Sequence, residues 1–151
     1  MNSWKISDEL LEWINNNIKK GATILELGSG EGTNELLKNY KVYSVEHDKK
    51  YLNKTKSNYI HAPIKRYKGY KWFSEFKVPY YDVLLIDAPP EVFGRLGMIK
   101  HFDMFDLSKL IILDDTHRLQ EQIVLEKLIE LMPDRKIIEI KSKYKKSTVI
   151  W

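Results

Sequence analysis

The run Thr23-Ile-Leu-Glu-Leu-Gly-Ser-Gly-Glu-Gly32 decides the fold. Thr23 to Leu27 is a compact apolar run that reads as a buried strand. Gly28, Gly30 and Gly32 follow without a break, and a helix from about Thr33 to Asn39 comes next. Glycines let a backbone turn sharply and approach a ligand closely, because no side chain intervenes; this suits a nucleotide-like cofactor. Glu46 ends the next strand, Val42 to Val45, eighteen residues beyond Gly28. A carboxylate there can accept both ribose hydroxyls of such a ligand. Position 33 is Thr, so the glycines run G-x-G-x-G and depart from the G-x-G-x-x-G of pyrophosphate-binding dinucleotide sites. Glu26 points the same way, since a carboxylate two residues before Gly28 repels phosphates and suits the ammonium end of a methionine moiety. The plainer alternatives are a glycine-rich turn with no cofactor, or a nicotinamide-binding fold.

Outward from this run, strands alternate with helices. Upstream, Ser7 followed by Asp8 and Glu9 starts a helix whose Leu10, Ile14 and Ile18 share one face, and Lys19-Lys20-Gly21 stops it. Downstream, the pattern predicts a helix from Asp48 through Ser57, a strand at Asn58 to His61, irregular structure over Pro63 to Tyr80 and a strand at Asp82 to Ile86. A helix from about Gly94 to Phe105, a strand at Leu110 to Leu113 and a helix from near Thr116 to Pro133 follow. Lys136 to Lys141 and Ser147 to Trp151 should pair as an antiparallel hairpin across a Lys-rich turn, read as solvated. The sum is one α/β domain over residues 1–151: a Rossmann-like, seven-stranded, mostly parallel sheet with helices on both faces and a ligand beyond the carboxyl ends of its strands.

Composition narrows the function classes. The chain has 151 residues with 43% hydrophobic and 30% charged side chains, an ordinary globular balance that argues against disorder. No apolar run approaches a membrane span and no signal-like segment opens the chain, so a cytoplasmic protein with no membrane partner is expected. With no cysteine, thiol nucleophiles and cysteine-based metal sites are excluded, and any metal must bind oxygen or imidazole. The net charge of +4 is unevenly spread: residues 41–80 hold ten Lys and Arg against Glu46, Asp48 and Glu75. Within this stretch, Lys65 to Phe73 interleaves cations with rings, which could stack on sugars or bases and attract carboxylates or phosphates.

The pattern Glu26-Leu27-Gly28-Ser29-Gly30-Glu31-Gly32 resembles the first motif of class I S-adenosylmethionine-dependent methyltransferases, and the terminal hairpin extends the resemblance over nearly the whole chain. The resemblance implies that fold, and S-adenosyl-L-methionine held by Glu26, Gly28, Ser29, Gly30, Gly32, Glu46, His47, His61 and Asp87. Asp87-Ala88-Pro89-Pro90 stands where the family places its catalytic loop. It differs from the Asp-Pro-Pro-aromatic motif of amino-methylating enzymes, because Ala88 is inserted and Glu91 takes the aromatic position.

Asp87, Asp114 and Asp115 end adjacent strands and should converge into a hard oxygen site suited to Mg²⁺, Mn²⁺ or Ca²⁺. This is similar to the metal site of catechol-type O-methyltransferases, with Asp115 in place of the usual Asn. A divalent ion on the acceptor oxygen would lower its pKa and hold it in line with the methyl group. Without a metal, His117, Asp87 or Asp115 could act as the base. The stretch from Asp87 to Arg95, with Val45-Glu46-His47-Asp48 upstream, is similar to small sugar O-methyltransferases of polysaccharide biosynthesis, including the glucuronoxylan 4-O-methyltransferase group. That likeness makes Arg95 the candidate for an acidic sugar, through bidentate binding of its carboxylate. The expected activity is O-methylation of a sugar or other small hydroxylated molecule. The alternatives are a nucleic-acid methyltransferase or a non-catalytic cofactor-binding subunit.

Overall fold

A computed structural model describes residues 5–151. In chain order the elements are α1 (Asp8–Asn17), β1 (Thr23–Leu27), α2 (Glu31–Leu37), β2 (Lys41–Glu46), β3 (Asn58–His61), β4 (Ile64–Tyr67), β5 (Tyr70–Phe73), β6 (Val83–Ile86), α3 (Gly97–Lys100), β7 (Leu110–Leu113), α4 (Leu119–Leu131), β8 (Ile137–Lys141) and β9 (Lys146–Ile150). Seven strands form one sheet in the order β3-β2-β1-β6-β7-β9-β8, and β4 pairs with β5 separately. Pairings from β3 through β7 are parallel, whereas β9 runs antiparallel to both β7 and β8. The seven strands read from the sequence are all present, with ends shifted by no more than one residue.

The sheet is apolar on both faces because strands buried on both sides carry continuous apolar runs, as in Val83-Leu-Leu-Ile86. On one face Ile24, Val42, Leu85 and Ile112 pack with Leu10 and Ile14 of α1 and Leu36 of α2. On the other, Leu25, Leu84, Ile111 and Ile150 pack with Trp72 and Phe73 of β5, Met98 of α3, and Val124 and Leu128 of α4. Ser7 caps α1 through its side chain, which accepts from the Leu10 amide at 3.1 Å, as the sequence predicts.

Three expectations are corrected. Residues 48–57 form only a single 3₁₀ turn, Lys49–Tyr51, instead of a helix. Asn53 there has φ 62°, and the Thr55 and Ser57 hydroxyls bond to Tyr59 and to the Val42 carbonyl, so local side-chain bonds displace the helical ladder. The stretch read as irregular contains the β4–β5 hairpin, with Tyr67 and Tyr70 stacked at 5.0 Å across its end. Residues 94–105 give only the short α3 and a second 3₁₀ turn, Phe102–Met104.

The hairpin takes the place of a covering helix, and Gly97 is what lets α3 lie against it. A Cβ at Gly97 would stand 2.8 Å from the Lys71 carbonyl oxygen and 2.9 Å from Trp72 Cβ. Gly97→Ala is therefore expected to destabilise the fold by about 1–3 kcal/mol, through overpacking against rigid backbone. A urea midpoint equal to wild type would refute this account of the hairpin's seat.

The registers also place the site. Leu27 lies beside Ile86, and Ile86 beside Leu113, so the next residues Gly28, Asp87 and Asp114 stand side by side at one edge of the sheet. The Asp87 amide donates to the Leu27 carbonyl at 3.1 Å and the Asp114 amide to the Ile86 carbonyl at 3.0 Å, which continues the ladder to that edge.

Candidate functional site

Two compartments meet at this edge, and Asp87 belongs to both. The first is a narrow crevice lined by Glu26, Gly28, Gly30, Gly32, Thr33, Leu36 and Asp87, with Lys5 and Ile6 from the segment before α1. Gly28 has φ 91°, and a Cβ there would stand 2.8 Å from Ala88 Cβ and 3.2 Å from the Asp87 carbonyl oxygen. Only glycine meets both demands, a positive φ and the close approach of the β6 loop.

Glu26 forms the back of the crevice and is 4% exposed. The hydroxyls of Thr33 and Ser44 both donate to its Oε1, each at 2.6 Å, and Oε2 receives neither of them. Burial pushes the Glu26 carboxyl up to about 7 against the pull of these two hydroxyls, with the Glu46 charge adding to the rise. A buried carboxylate with an oxygen left over in a glycine-lined crevice fits the ammonium group of an amino-acid moiety. Thr33, which in the sequence only counted against a dinucleotide site, also accepts from the Gly30 amide at 3.0 Å and so ties the glycine turn to Glu26.

Glu46 is held over the same turn. Its Oε1 accepts from the Ser29 amide at 2.9 Å and the Ser29 hydroxyl at 3.1 Å, while Oε2 lies 3.7 Å from His47 Nδ1. His47 packs edge-on to Phe93 at 5.5 Å. His61 stands opposite Glu46 in the β2–β3 register, and neither lines the crevice itself.

The second compartment is the group Asp87, Asp114 and Asp115, whose carboxylate oxygens lie within 4.8 Å of one another. The convergence foreseen from the strand ends is real, but its partners are not those foreseen. Arg95 is buried and spends its guanidinium inward: on Asp115 at 3.1 Å, Asp87 at 3.4 Å, and the carbonyls of Asp114 at 3.0 Å and Pro89 at 3.3 Å. Its Nε lies 3.7 Å from the buried Glu121. The geometry thus gives Arg95 a different set of partners from the sugar carboxylate the sequence suggested.

Lys145, read as part of a solvated turn, is a further correction. Its ammonium sits 2.8 Å from Asp114 Oδ2 and 3.4 Å from Asp115 Oδ1, and donates to the Lys5 carbonyl at 3.1 Å. Asp114 Oδ1 is taken by the Ser147 hydroxyl at 2.6 Å, and Asp115 Oδ2 also meets Arg118 at 3.5 Å. Asp115 has φ 62°, a left-handed conformation tolerated by a short polar residue, and this turn lets consecutive carboxylates reach one ammonium. The donor set therefore does not fit a divalent ion: the Asp114 and Asp115 oxygens one would need are already engaged by N–H and O–H donors, and their charge is matched by Arg95, Lys145 and Arg118. The expected Mg²⁺ or Mn²⁺ at Asp87, Asp114 and Asp115 finds no support in this arrangement.

These partners separate the carboxyls electrically. Burial raises Asp115, but Arg95, Lys145 and Arg118 together pull it below the ordinary carboxylate range. Asp87 goes the other way: burial and the Asp114 charge hold it well above that range, and Arg95 only partly offsets them. Asp87 Oδ1 touches Arg95 alone, so Asp87 is the carboxyl left to face a ligand. His117 precedes α4, is exposed, and its Nδ1 accepts from the Lys146 amide at 3.2 Å, which commits that nitrogen to the terminal hairpin. Ser44, Ser147, Glu121 and Lys145 were not singled out from the sequence. None carries a local motif, and each acts through contacts distant along the chain.

No family model matches the sequence, and no characterised protein matches it by sequence. Solved structures do resemble it in fold. A methyltransferase from Pyrococcus furiosus is 19% identical with a TM-score of 0.57, the match covering 95% of this chain and 82% of that one. A precorrin 8W decarboxylase from Methanobacterium thermoautotrophicum is 15% identical with a TM-score of 0.62, covering 95% and 89%. Fibrillarin from Aeropyrum pernix, with natively bound S-adenosyl-L-methionine, is 13% identical with a TM-score of 0.58, covering 94% and 73%. The fold is thus the Rossmann-like fold of S-adenosylmethionine-dependent methyltransferases. The specific likeness to glucuronoxylan O-methyltransferases does not recur among these structures. Among the described residues no helix is long and apolar enough to cross a membrane.

Proposed function

We propose that the chain is an S-adenosylmethionine-dependent methyltransferase whose acceptor is a hydroxyl group of a small molecule or sugar. The observation that carries this reading is that one residue, Asp87, lines the glycine crevice and also belongs to the carboxylate group beyond it. In this reading Glu26 holds the donor's ammonium, the glycine turn lies along its amino-acid chain, and Glu46 takes the ribose hydroxyls with His47 and His61 beside it.

The donor supplies an electrophilic methyl on a positively charged sulfur. A neutral hydroxyl is a poor attacker, so the chain must accept its proton as the new carbon–oxygen bond forms and the sulfur–methyl bond breaks. Asp87 is assigned that proton, because it is the carboxyl whose affinity for protons is raised and whose second oxygen is free. The Asp115 carboxylate, held ionised by its cations, and the Asp114 carbonyl orient Arg95, which in turn positions Asp87. His117 is left out, since its ring is turned to the terminal hairpin.

A nucleic-acid acceptor is the second reading, favoured by one contact. The Lys71 ammonium lies 5.6 Å over the Phe93 ring, which packs on His47 beside Glu46, so the cationic hairpin that also carries Lys65, Arg66 and Lys68 contacts the segment next to Glu46.

The test is transfer of radiolabelled methyl from S-adenosylmethionine to uronic-acid-containing saccharides, simple catechols and bulk RNA. Label on a hydroxylated small molecule, unchanged by chelators, is the expected result. Label on RNA alone, with binding that weakens steeply with salt, would replace it by the second reading.

A further inference from the structure

We propose that the Lys145 ammonium is the resident cation of the acceptor-side carboxylates, occupying the position a divalent ion would take and excluding one. The inference concerns the charge balance of the group and does not depend on methyl transfer.

Three observations support it. First, the ammonium is inside the group: the Lys145 side chain is only 12% exposed and lies within 3.4 Å of both Asp114 and Asp115. Second, the carboxyls meet cations without a metal: Asp114, Asp115 and Glu121 face Lys145, Arg118 and Arg95, and Asp87 meets Arg95 at 3.4 Å. Third, the ammonium donates to Asp114 Oδ2 and to the Lys5 carbonyl, and Asp115 Oδ1 stands 3.4 Å away as an ion-pair partner. Burial alone would lower the Lys145 pKa, but Asp114, Asp115 and Asp87 reverse this and hold it above the ordinary lysine value, so it stays charged.

With its ammonium turned onto Asp114, Asp115 and the Lys5 carbonyl, Lys145 is committed to the protein's own groups. It is a positioning residue, which fixes Asp114 and Asp115 and ties the segment before α1, a wall of the crevice, to the floor of the second compartment. A strand-to-strand turn with four lysines in six residues, Lys141 to Lys146, hides this role, because only the fold shows which of them points inward.

The test is Mn²⁺ binding followed by electron paramagnetic resonance. Wild type and Lys145→Arg should bind no Mn²⁺ at the group up to millimolar concentration. Lys145→Met, which keeps the chain's bulk and removes the charge, should gain a site with Kd of about 10⁻⁴ M, at least about tenfold tighter than wild type. Adding Asp114→Asn to Lys145→Met should abolish it. Wild type binding Mn²⁺ as tightly as Lys145→Met overturns the proposal, as does a folded Lys145→Met that gains no site. Should Lys145→Met fail to fold, wild type decides: Mn²⁺ binding that Asp114→Asn removes overturns the proposal, and its absence sustains it.

Discussion

Glu26→Gln is expected to make the ligand-free protein more stable at alkaline pH while costing it the cofactor. In the folded chain burial lifts the Glu26 carboxyl from 4.5 to about 7. A carboxyl whose folded pKa lies above its unfolded one favours the fold fully below pH 4.5, and that contribution is lost as pH rises through 7. At pH 8.5 the buried carboxylate therefore burdens the fold by about 3 kcal/mol. Gln keeps an oxygen for the Thr33 and Ser44 hydroxyls and carries no charge, so urea unfolding at pH 8.5 should show a gain of up to about 3 kcal/mol, with little gain at pH 4. Affinity for S-adenosylhomocysteine should fall by roughly 2–5 kcal/mol, at least about thirtyfold, because the ligand's ammonium loses its counter-charge. Equal affinity in Glu26→Gln would remove Glu26 from the site. A residue that destabilises the empty fold yet is retained at the crevice is what a binding role predicts.

Asp87→Asn separates the second compartment from the first. Asn preserves the shape of the side chain, and Arg95 retains Asp115, Glu121 and two carbonyls, so the fold should survive. Turnover should drop by about 10²–10⁴, the usual contribution of a positioned base. Affinity for the donor should stay within about threefold, since Glu26, the glycine turn and Glu46 are untouched. In wild type the rate should rise with pH through the elevated Asp87 pKa, because only the ionised form accepts a proton, and this rising limb should vanish in Asp87→Asn. Unchanged turnover would mean that the acceptor lies elsewhere.

What the sequence made legible was what depends on near neighbours. The strand–glycine–helix run around Gly28, the placement of Glu46 and Asp87 at strand ends, and the seven strands all follow from local pattern and the topology it implies. The helix expected over 48–57 failed because Asn53 takes a left-handed conformation and the hydroxyls and amides of Thr55 and Ser57 bind nearby groups in place of continuing a ladder. The β4–β5 hairpin was hidden because most of its alternating residues are Lys, Arg and Tyr, whose stems and rings bury while their tips stay wet. The reading of the three aspartates as a metal site failed for a different reason. Proximity of carboxylates can be inferred from strand order, but the cations that neutralise them come from the loop before α3, from the residue preceding α4 and from the terminal hairpin. Arg118 and Lys145 look in sequence like any solvated basic residues, Arg95 reads there as the partner of a sugar carboxylate, and only the packed chain shows Arg95 and Lys145 turned inward.

The most direct test of the account is a calorimetric titration of folded protein with S-adenosylhomocysteine at pH 6.5 and 8.5, in buffers of different ionisation enthalpy. If Glu26 grips the ligand's ammonium, binding must pull its pKa down from about 7. One site per chain is then predicted, with a proton released at pH 6.5 and little released from Glu26 at pH 8.5. Absence of heat at both pH values would contradict the account, and binding without proton release at pH 6.5 would take Glu26 out of it.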